Sequence, residues 1–464
     1  MNMKNTNRIT LLNMASALIL QGLAFLTGPI FSKMLGTDNF GIVSVYYAWV
    51  QIASIVFSLQ AGGAIGVARV DFPQKDQNRY QSSVFSLATI SYICFSVLTV
   101  VVVILIPDRF GLNRSMIIFG LAQGWGMYCV TLMSAKFVYE FKAGLNFILS
   151  VGVSVLTISV SIWLIYQYSA ENNYWGRIIG LSSVYAVVGL FLFVYMMCTG
   201  KTGYKKEYWK YTLPITIPTV FHLLSHIVLN QSDRIMIKGL INNSEAGIYS
   251  LAANFGMVIS TLWGAFNNTW SPVYIEYTKN GQIDEIKKHS RNYTMLFTVI
   301  TIGFILLSRE VFHLYSVDKS YWSGTDYIPF LAIGYYFVFL YSFPVNYEFY
   351  YKKTKVIAAG TLTAAILNII LNYTLIKWVG TFGAVVATVI AYGLLFLFHF
   401  ICAKRIRGSV FPFSLLDFWP SLLAVCSACV LYWFTKNLWY IRWVIGAALG
   451  IYMMIKIIKR KEIF

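Results

Sequence analysis

Fourteen apolar stretches of roughly twenty residues, joined by short polar links, run the length of the chain: about 9–33, 40–65, 83–106, 113–135, 144–168, 178–198, 211–232, 246–272, 293–315, 326–350, 356–377, 381–402, 416–434 and 439–457. A helix needs about 20 apolar residues to cross the hydrocarbon of a bilayer, and lipid offers no partner to an open strand edge. The pattern therefore predicts an all-α polytopic membrane protein with about fourteen transmembrane helices. Composition agrees, with 58% hydrophobic and only 12% charged residues among 464, where a soluble domain carries about 25% charged residues. Soluble enzyme folds are excluded, and no link has room for a separate soluble domain.

The formal charge of +18 would suggest nucleic acid in a soluble protein. Here its distribution matters more. With a cytoplasmic N-terminus, 25 of the 36 Lys and Arg residues fall on inside segments, among them Arg69, Lys75, Lys136, Lys142, Lys201, Lys352, Lys353, Lys404, Arg407 and Lys461. That excess is the positive-inside signal and predicts both termini in the cytoplasm, with no nucleic-acid partner needed. The first stretch, Ile9 to Phe31 behind Lys4 and Arg8, is longer than a signal-peptide core and has no small-residue cleavage site, so it reads as a retained helix. The six cysteines lie within or at the ends of apolar stretches, including the Cys426 and Cys429 pair. They imply neither a disulfide framework nor a metal site, and no cofactor is expected.

The sequence repeats itself. Leu132, Ser134, Tyr139, Glu140 and Phe141 near the end of span 4 recur 208 residues later as Leu340, Ser342, Tyr347, Glu348 and Phe349 near the end of span 10. Gly41, Ile42 and Ser44 recur at an offset of 206 as Gly247, Ile248 and Ser250, and just before them Lys33 and Leu35 correspond to Lys238 and Leu240 at 205. Spans 1–6 and 7–12 are thus two copies of one unit. An even number of spans per copy gives both the same orientation, the parallel arrangement of several secondary transporters around a central cavity. The expected divisions are 1–205, 206–408 and an extra helix pair at 409–464.

Two blocks carry a resemblance. Gln231, Ser232, Asp233, Arg234 and Ile235, then Gly247 to Ala252 and Trp270, Ser271, Pro272, form the first; Leu367 to Asn372, then Leu375, Ile376, Gly380, Gly383, Ala384, Ala387 and Thr388, form the second. They resemble the O-antigen and capsular-repeat translocases (Wzx-type) of the multidrug/oligosaccharidyl-lipid/polysaccharide (MOP) exporter superfamily. The resemblance implies two six-helix bundles facing a lumen, and an oligosaccharide linked through pyrophosphate to undecaprenol as the substrate. It also implies a bacterial plasma membrane location, contact with membrane lipids, and a polysaccharide polymerase and chain-length regulator as pathway partners. The lipid II flippases of this superfamily also have fourteen spans, the last two helping to form a groove for the lipid tail. They use mid-membrane arginines in spans 1 and 2 that this chain lacks, which turns the expectation toward a capsule, O-antigen or exopolysaccharide unit.

An ionisable group in the apolar region costs about 2.5–3.5 kcal/mol on insertion scales, so each one needs a lumen, a partner or an interface. Span 7 is the richest. His222, His226, Asn230 and Asp233 share one face at about 100° per residue. The histidines read either as proton-coupling groups on a lumen strip or as hydrogen-bonding groups between helices. Pro214 and Pro218 remove backbone bonds from the same helix, suggesting a bend at a gate. Lys33 and Lys238, as repeat mates, read with Arg234 as a pyrophosphate-attracting mouth or as snorkelling cations. Lys136 with Glu140, and Glu348 with Lys352, are spaced as i,i+4 ion pairs, either structural or an inner gate. Arg69 and Asp71 read as loop charges. Asn368 and Asn372 share a face of span 11 with Thr361, as helix-packing groups or as a sugar-binding wall.

The main functional expectation is a flippase, and not an enzyme. One alternative is a cation-coupled drug antiporter of the same superfamily, against which stands the lack of a carboxylate in span 1. The other is a membrane polymerase or glycosyltransferase, against which stand short links without a Walker, His-Glu-x-x-His or Gly-x-Ser-x-Gly pattern.

Overall fold

The computed structural model describes residues 3–105, 112–406 and 410–460, so Arg407 and Lys461 among the inside cations lie outside the described residues. Among those described there are fourteen α-helices and no strand. Twelve helices are long and apolar enough to cross a membrane, and a further apolar stretch, Trp439–Ile455, is shorter. The chain is a multi-pass membrane protein. It separates into two compact units, Met1–Gly247 and Ile248–Phe464.

In the first unit, α1 (Met3–Phe57) contains the first expected span and most of the second, 40–65, the helix stopping at Phe57, and is broken at Gly36, where φ is 71°. That left-handed backbone suits a residue without Cβ. Short turns and α2 (Ile65–Asp71) lead to α3 (Gln77–Leu105). Then come α4 (Arg114–Tyr139), whose N-terminus is capped by the Asn113 side chain, α5 (Ala143–Ile165), α6 (Tyr174–Gly200) and α7 (Lys206–Leu240). The unit's core gathers Tyr80, Phe85, Tyr128, Leu132, Met133, Met196 and Tyr208. Tyrosines in such a core need partners for their hydroxyls, and Tyr80 Oη lies 2.9 Å from Thr212 Oγ1, joining α3 to α7. By contact, then, the first helix of the second repeat packs with α1 and α3, and the boundary between units falls inside α8 (Asn243–Lys279).

The second unit continues from α8 through α9 (Ile283–Ser316), a 3-10 segment Lys319–Tyr327, α10 (Ile328–Tyr350), α11 (Thr354–Val379) and α12 (Thr381–Lys404). The extra pair, α13 (Leu415–Phe434) and α14 (Trp439–Arg460), packs on α9. A capping box, Ser414 with Asp417, starts α13, and satisfies backbone donors that lipid would leave bare. Aromatic rings fill the interior, with Phe297 stacked on Phe339 at 4.3 Å and Phe343 against Phe413 and Phe418.

Candidate functional site

The break in α1 is the most elaborately built point of the first unit. A helix interrupted at Gly36 leaves carbonyls without their usual donors. The Asn173 amide, from the start of α6, donates to the Met34 carbonyl at 2.8 Å, and the Asn39 amide donates in turn to Asn173 Oδ1 and to the Ala170 carbonyl, each at 2.8 Å. Opposite the break, the N-terminal turn of α8 comes into backbone contact with α1. A Cβ on Gly41 would meet the Asn243 carbonyl and, at 2.9 Å, the Gly247 nitrogen; a Cβ on Gly247 would meet the Thr37 carbonyl. Each glycine is the other's repeat mate, so the two copies of the motif close on one another. Ser244 Oγ donates to Thr37 Oγ1 across the same contact at 2.7 Å. Small residues that let helices touch backbone to backbone are a familiar membrane packing device.

Of the cations predicted to mark this end, Lys33 lies just before the break in α1 and is exposed, whereas Lys238 lies near the end of α7 and is half-buried. On α7, Asp233 and Arg234 are buried, His222 is half-buried, His226 is exposed, and the Asn230 amide donates to the His226 carbonyl at 2.8 Å. The helix runs continuously through Pro214 and Pro218.

At the other end of the unit, Lys136 is only 3% exposed yet fully bonded. Its ammonium donates to Asn78 Oδ1 at 2.9 Å, Gln81 Oε1 at 2.5 Å and Glu140 Oε1 at 2.5 Å. Three donors and three acceptors make this buried charge tolerable. Lys142 holds the second oxygen of Glu140 at 2.7 Å. Burial pushes the Glu140 carboxyl up, but hydrogen bonds and charge from Lys136 and Lys142 outweigh it and hold the group below its ordinary value.

In the second unit the expected Glu348–Lys352 pair does not form. α10 ends at Tyr350, and Lys352 takes a left-handed φ of 56° in the exposed turn that follows, so the i,i+4 spacing no longer lies on a helix. Glu348 instead meets His399 of α12, 2.7 Å from Oε2 to Nδ1, with both side chains wholly buried. On α11, Asn368 and Asn372 are also wholly buried, the Asn372 amide donating to Asn368 Oδ1 at 3.0 Å.

Residues 7–278 match the polysaccharide biosynthesis protein family. The chain belongs to that family. The matched segment takes in the 231–252 block and stops short of the 367–388 block. Relatives of this family member include the Lsg locus protein 1 of Haemophilus influenzae, 23% identical over 78% of this chain and 90% of that protein. An uncharacterized membrane protein of Methanocaldococcus jannaschii is 23% identical over 85% of this chain and 97% of its own length. Among solved structures, the lipid II flippase MurJ superposes with a TM-score of 0.70 over 98% of this chain and 99% of that one, at 15% identity. A multidrug resistance MATE transporter of the MOP superfamily gives 0.58 over 85% and 97%, at 14%. The chain therefore shares the fold of these two transporters.

Three features of these sites were not singled out from sequence: His399, the Asn39–Asn173 clamp, and Gln81 with Asn78 beneath Lys136. Their only sequence signal is a polar side chain in an apolar stretch or beside a helix break.

Proposed function

We propose that the chain is a flippase that carries undecaprenyl-pyrophosphate-linked oligosaccharide repeat units from the inner to the outer leaflet of the bacterial plasma membrane by alternating access. The observation that carries this reading is the coincidence of a polysaccharide biosynthesis family with the fold of a lipid-linked precursor flippase over almost the whole chain. Both termini lie in the cytoplasm in this scheme, and the chain is a transporter, not an enzyme. Lys33, Lys238 and Arg234 draw in the pyrophosphate, Asp233, Asn230, Asn368 and Asn372 contact the sugars, and the α7 histidines with Pro214 and Pro218 serve coupling and gating. Lys136–Glu140 and Glu348 belong to the inner gate. The likeness to a MATE transporter favours a second reading, cation-coupled efflux of small molecules.

Reconstituted vesicles decide between them. A fluorescent lipid-linked oligosaccharide in the inner leaflet should become accessible to an impermeant lectin or quencher only with the protein present, and remain in the membrane covalently unchanged. Drug efflux without lipid translocation would sink the flippase reading, and chain lengthening would indicate an enzyme. Lys33→Ala with Lys238→Ala should abolish translocation while insertion stays normal.

A further inference from the structure

At the inner end of the first unit, where α2, α3, α4 and α6 finish or begin, lies a polar hollow of about 290 Å3. Its walls carry three cations, Arg69, Lys136 and Lys142, against one carboxylate, Glu140. Both oxygens of that carboxylate are spent, one on each lysine, and all three N–H groups of Lys136 are spent as well. The other nearby acids are engaged elsewhere: Asp71 accepts the Tyr211 hydroxyl at 2.6 Å, and Asp76 pairs with Arg79 at 3.8 Å. The residues lining the hollow thus carry a net excess of two positive charges. Lys142, half exposed, shares Glu140 with Lys136 and keeps donors to spare; Arg69 lies over the Phe141 ring at 5.7 Å and has no carboxylate in ion-pair contact among the described residues. A planar guanidinium held on a ring with its fork open is suited to a bidentate oxyanion.

The remaining wall says where the anion comes from. Tyr195 and Thr199 of α6 line the hollow. Along the same helix Val187, Leu190, Phe191 and Val194 are exposed, and Tyr195 continues that stripe. In a membrane span such a stripe faces acyl chains. The hollow therefore opens at headgroup depth, at the end of a surface wetted by lipid.

We infer that this hollow binds the phosphate-bearing headgroup of a lipid, with Arg69 and Lys142 on the phosphate oxygens and the hydrocarbon chain lying along α6. The inference goes beyond the transport reading and does not depend on it. The chemistry is shared by two sources, an anionic phospholipid and a polyprenyl diphosphate.

Native mass spectrometry on the full chain, with lipids added singly, tests it. Wild type should bind dioleoylphosphatidylglycerol or undecaprenyl diphosphate about tenfold more tightly than net-neutral dioleoylphosphatidylcholine. Arg69→Gln with Lys142→Gln should erase the preference, and Arg69→Gln alone, which leaves the Glu140–Lys142 pair in place, should cut it about threefold. Lys206→Gln with Lys210→Gln, exposed cations at the start of α7 that do not line the hollow, should leave it within about twofold. Thermal midpoints check that each variant is folded. Preference for the phospholipid or for the polyprenyl diphosphate identifies the source, and either supports the site. Equal loss in both double variants would mean bulk charge only, and competition by inorganic diphosphate at the same concentration as lipid would mean a soluble-anion site; either result overturns the inference.

Discussion

Glu140 and Glu348 are the same residue of the repeat in two different surroundings. Both follow Leu-x-Ser-x-x-x-x-Tyr, and both helices close with the same turn. In the first unit Lys142 N donates to the Phe137 carbonyl at 2.8 Å with Phe141 in the left-handed region; in the second, Lys353 N donates to the Glu348 carbonyl at 2.8 Å with Lys352 there. The closing turn comes three residues later relative to the motif in α10. That single turn of helix moves the carboxylate from a helix end, with its side chain 14% exposed, to a wholly buried position. Its partner changes accordingly, from two lysines to one buried imidazole on another helix. An apparently duplicated ion pair is thus a helix-end carboxylate between two lysines in one copy and an interhelical Glu348–His399 contact in the other.

The sharpest way to break this contrast is to remove the buried carboxylate in one copy and the exposed lysine in the other. Deleting one partner of a buried hydrogen-bonded pair costs on the order of 3–5 kcal/mol, while an exposed pair is worth about 0–1 kcal/mol. Glu348→Ala should therefore lower the thermal midpoint in detergent far more than Lys142→Ala does. Glu348→Gln should recover much of the loss, because its amide can donate to His399 Nδ1. A midpoint for Glu348→Ala no lower than for Lys142→Ala would mean that the His399 contact does not stabilise the fold.

Where the repeat copies coincide, the expected effects are equal. Gly41→Ala and Gly247→Ala each place a Cβ against backbone of the other's helix, and overpacking of this kind costs about 1–3 kcal/mol. Gly22→Ala and Gly264→Ala, where nothing lies within 4 Å of the new Cβ, should be neutral or slightly stabilising. Markedly unequal losses at Gly41 and Gly247 would show that the self-matching contact is not shared evenly. Asn173→Ala sharpens the same junction. It removes the donor to Met34 and the acceptor of Asn39, and should cost about 1–3 kcal/mol as buried groups lose their partners, read as a drop in midpoint that Asn39→Ala deepens only by its remaining bond to the Ala170 carbonyl.

The same pairs show what the chain's letters reveal and what they withhold. Apolar runs place the spans because backbone groups in lipid must bond within their own segment, and the offset of about 206 residues alone pairs Gly41 with Gly247. The Lys136–Glu140 pair was legible because i,i+4 spacing suffices when the helix continues. Spacing misled at Glu348–Lys352 because the helix stops at Tyr350. His399 was invisible as a partner because it lies 51 residues away on another helix, and a lone histidine in an apolar span has no periodic companion. The two α1 arms were read as separate spans, yet the Asn173 clamp that fixes their junction comes from a link whose conformation no pattern encodes.

The smallest effect expected is an acid titration at Glu140. Its carboxyl is held below the ordinary range by Lys136 and Lys142 despite the opposing effect of burial. A group whose value is depressed in the folded state contributes stability that is fully present above its unfolded value of about 4.3 and is lost as pH falls through the folded value. The difference in thermal midpoint between wild type and Glu140→Gln should stay constant from about pH 8 to pH 5 and shrink below about pH 4, where wild type also protonates. Lys142→Ala removes one of the two cations, so the shrinkage should begin at higher pH in that background. A difference that instead vanished near neutral pH would mean the carboxyl is already protonated there, and that burial has overcome its two lysines.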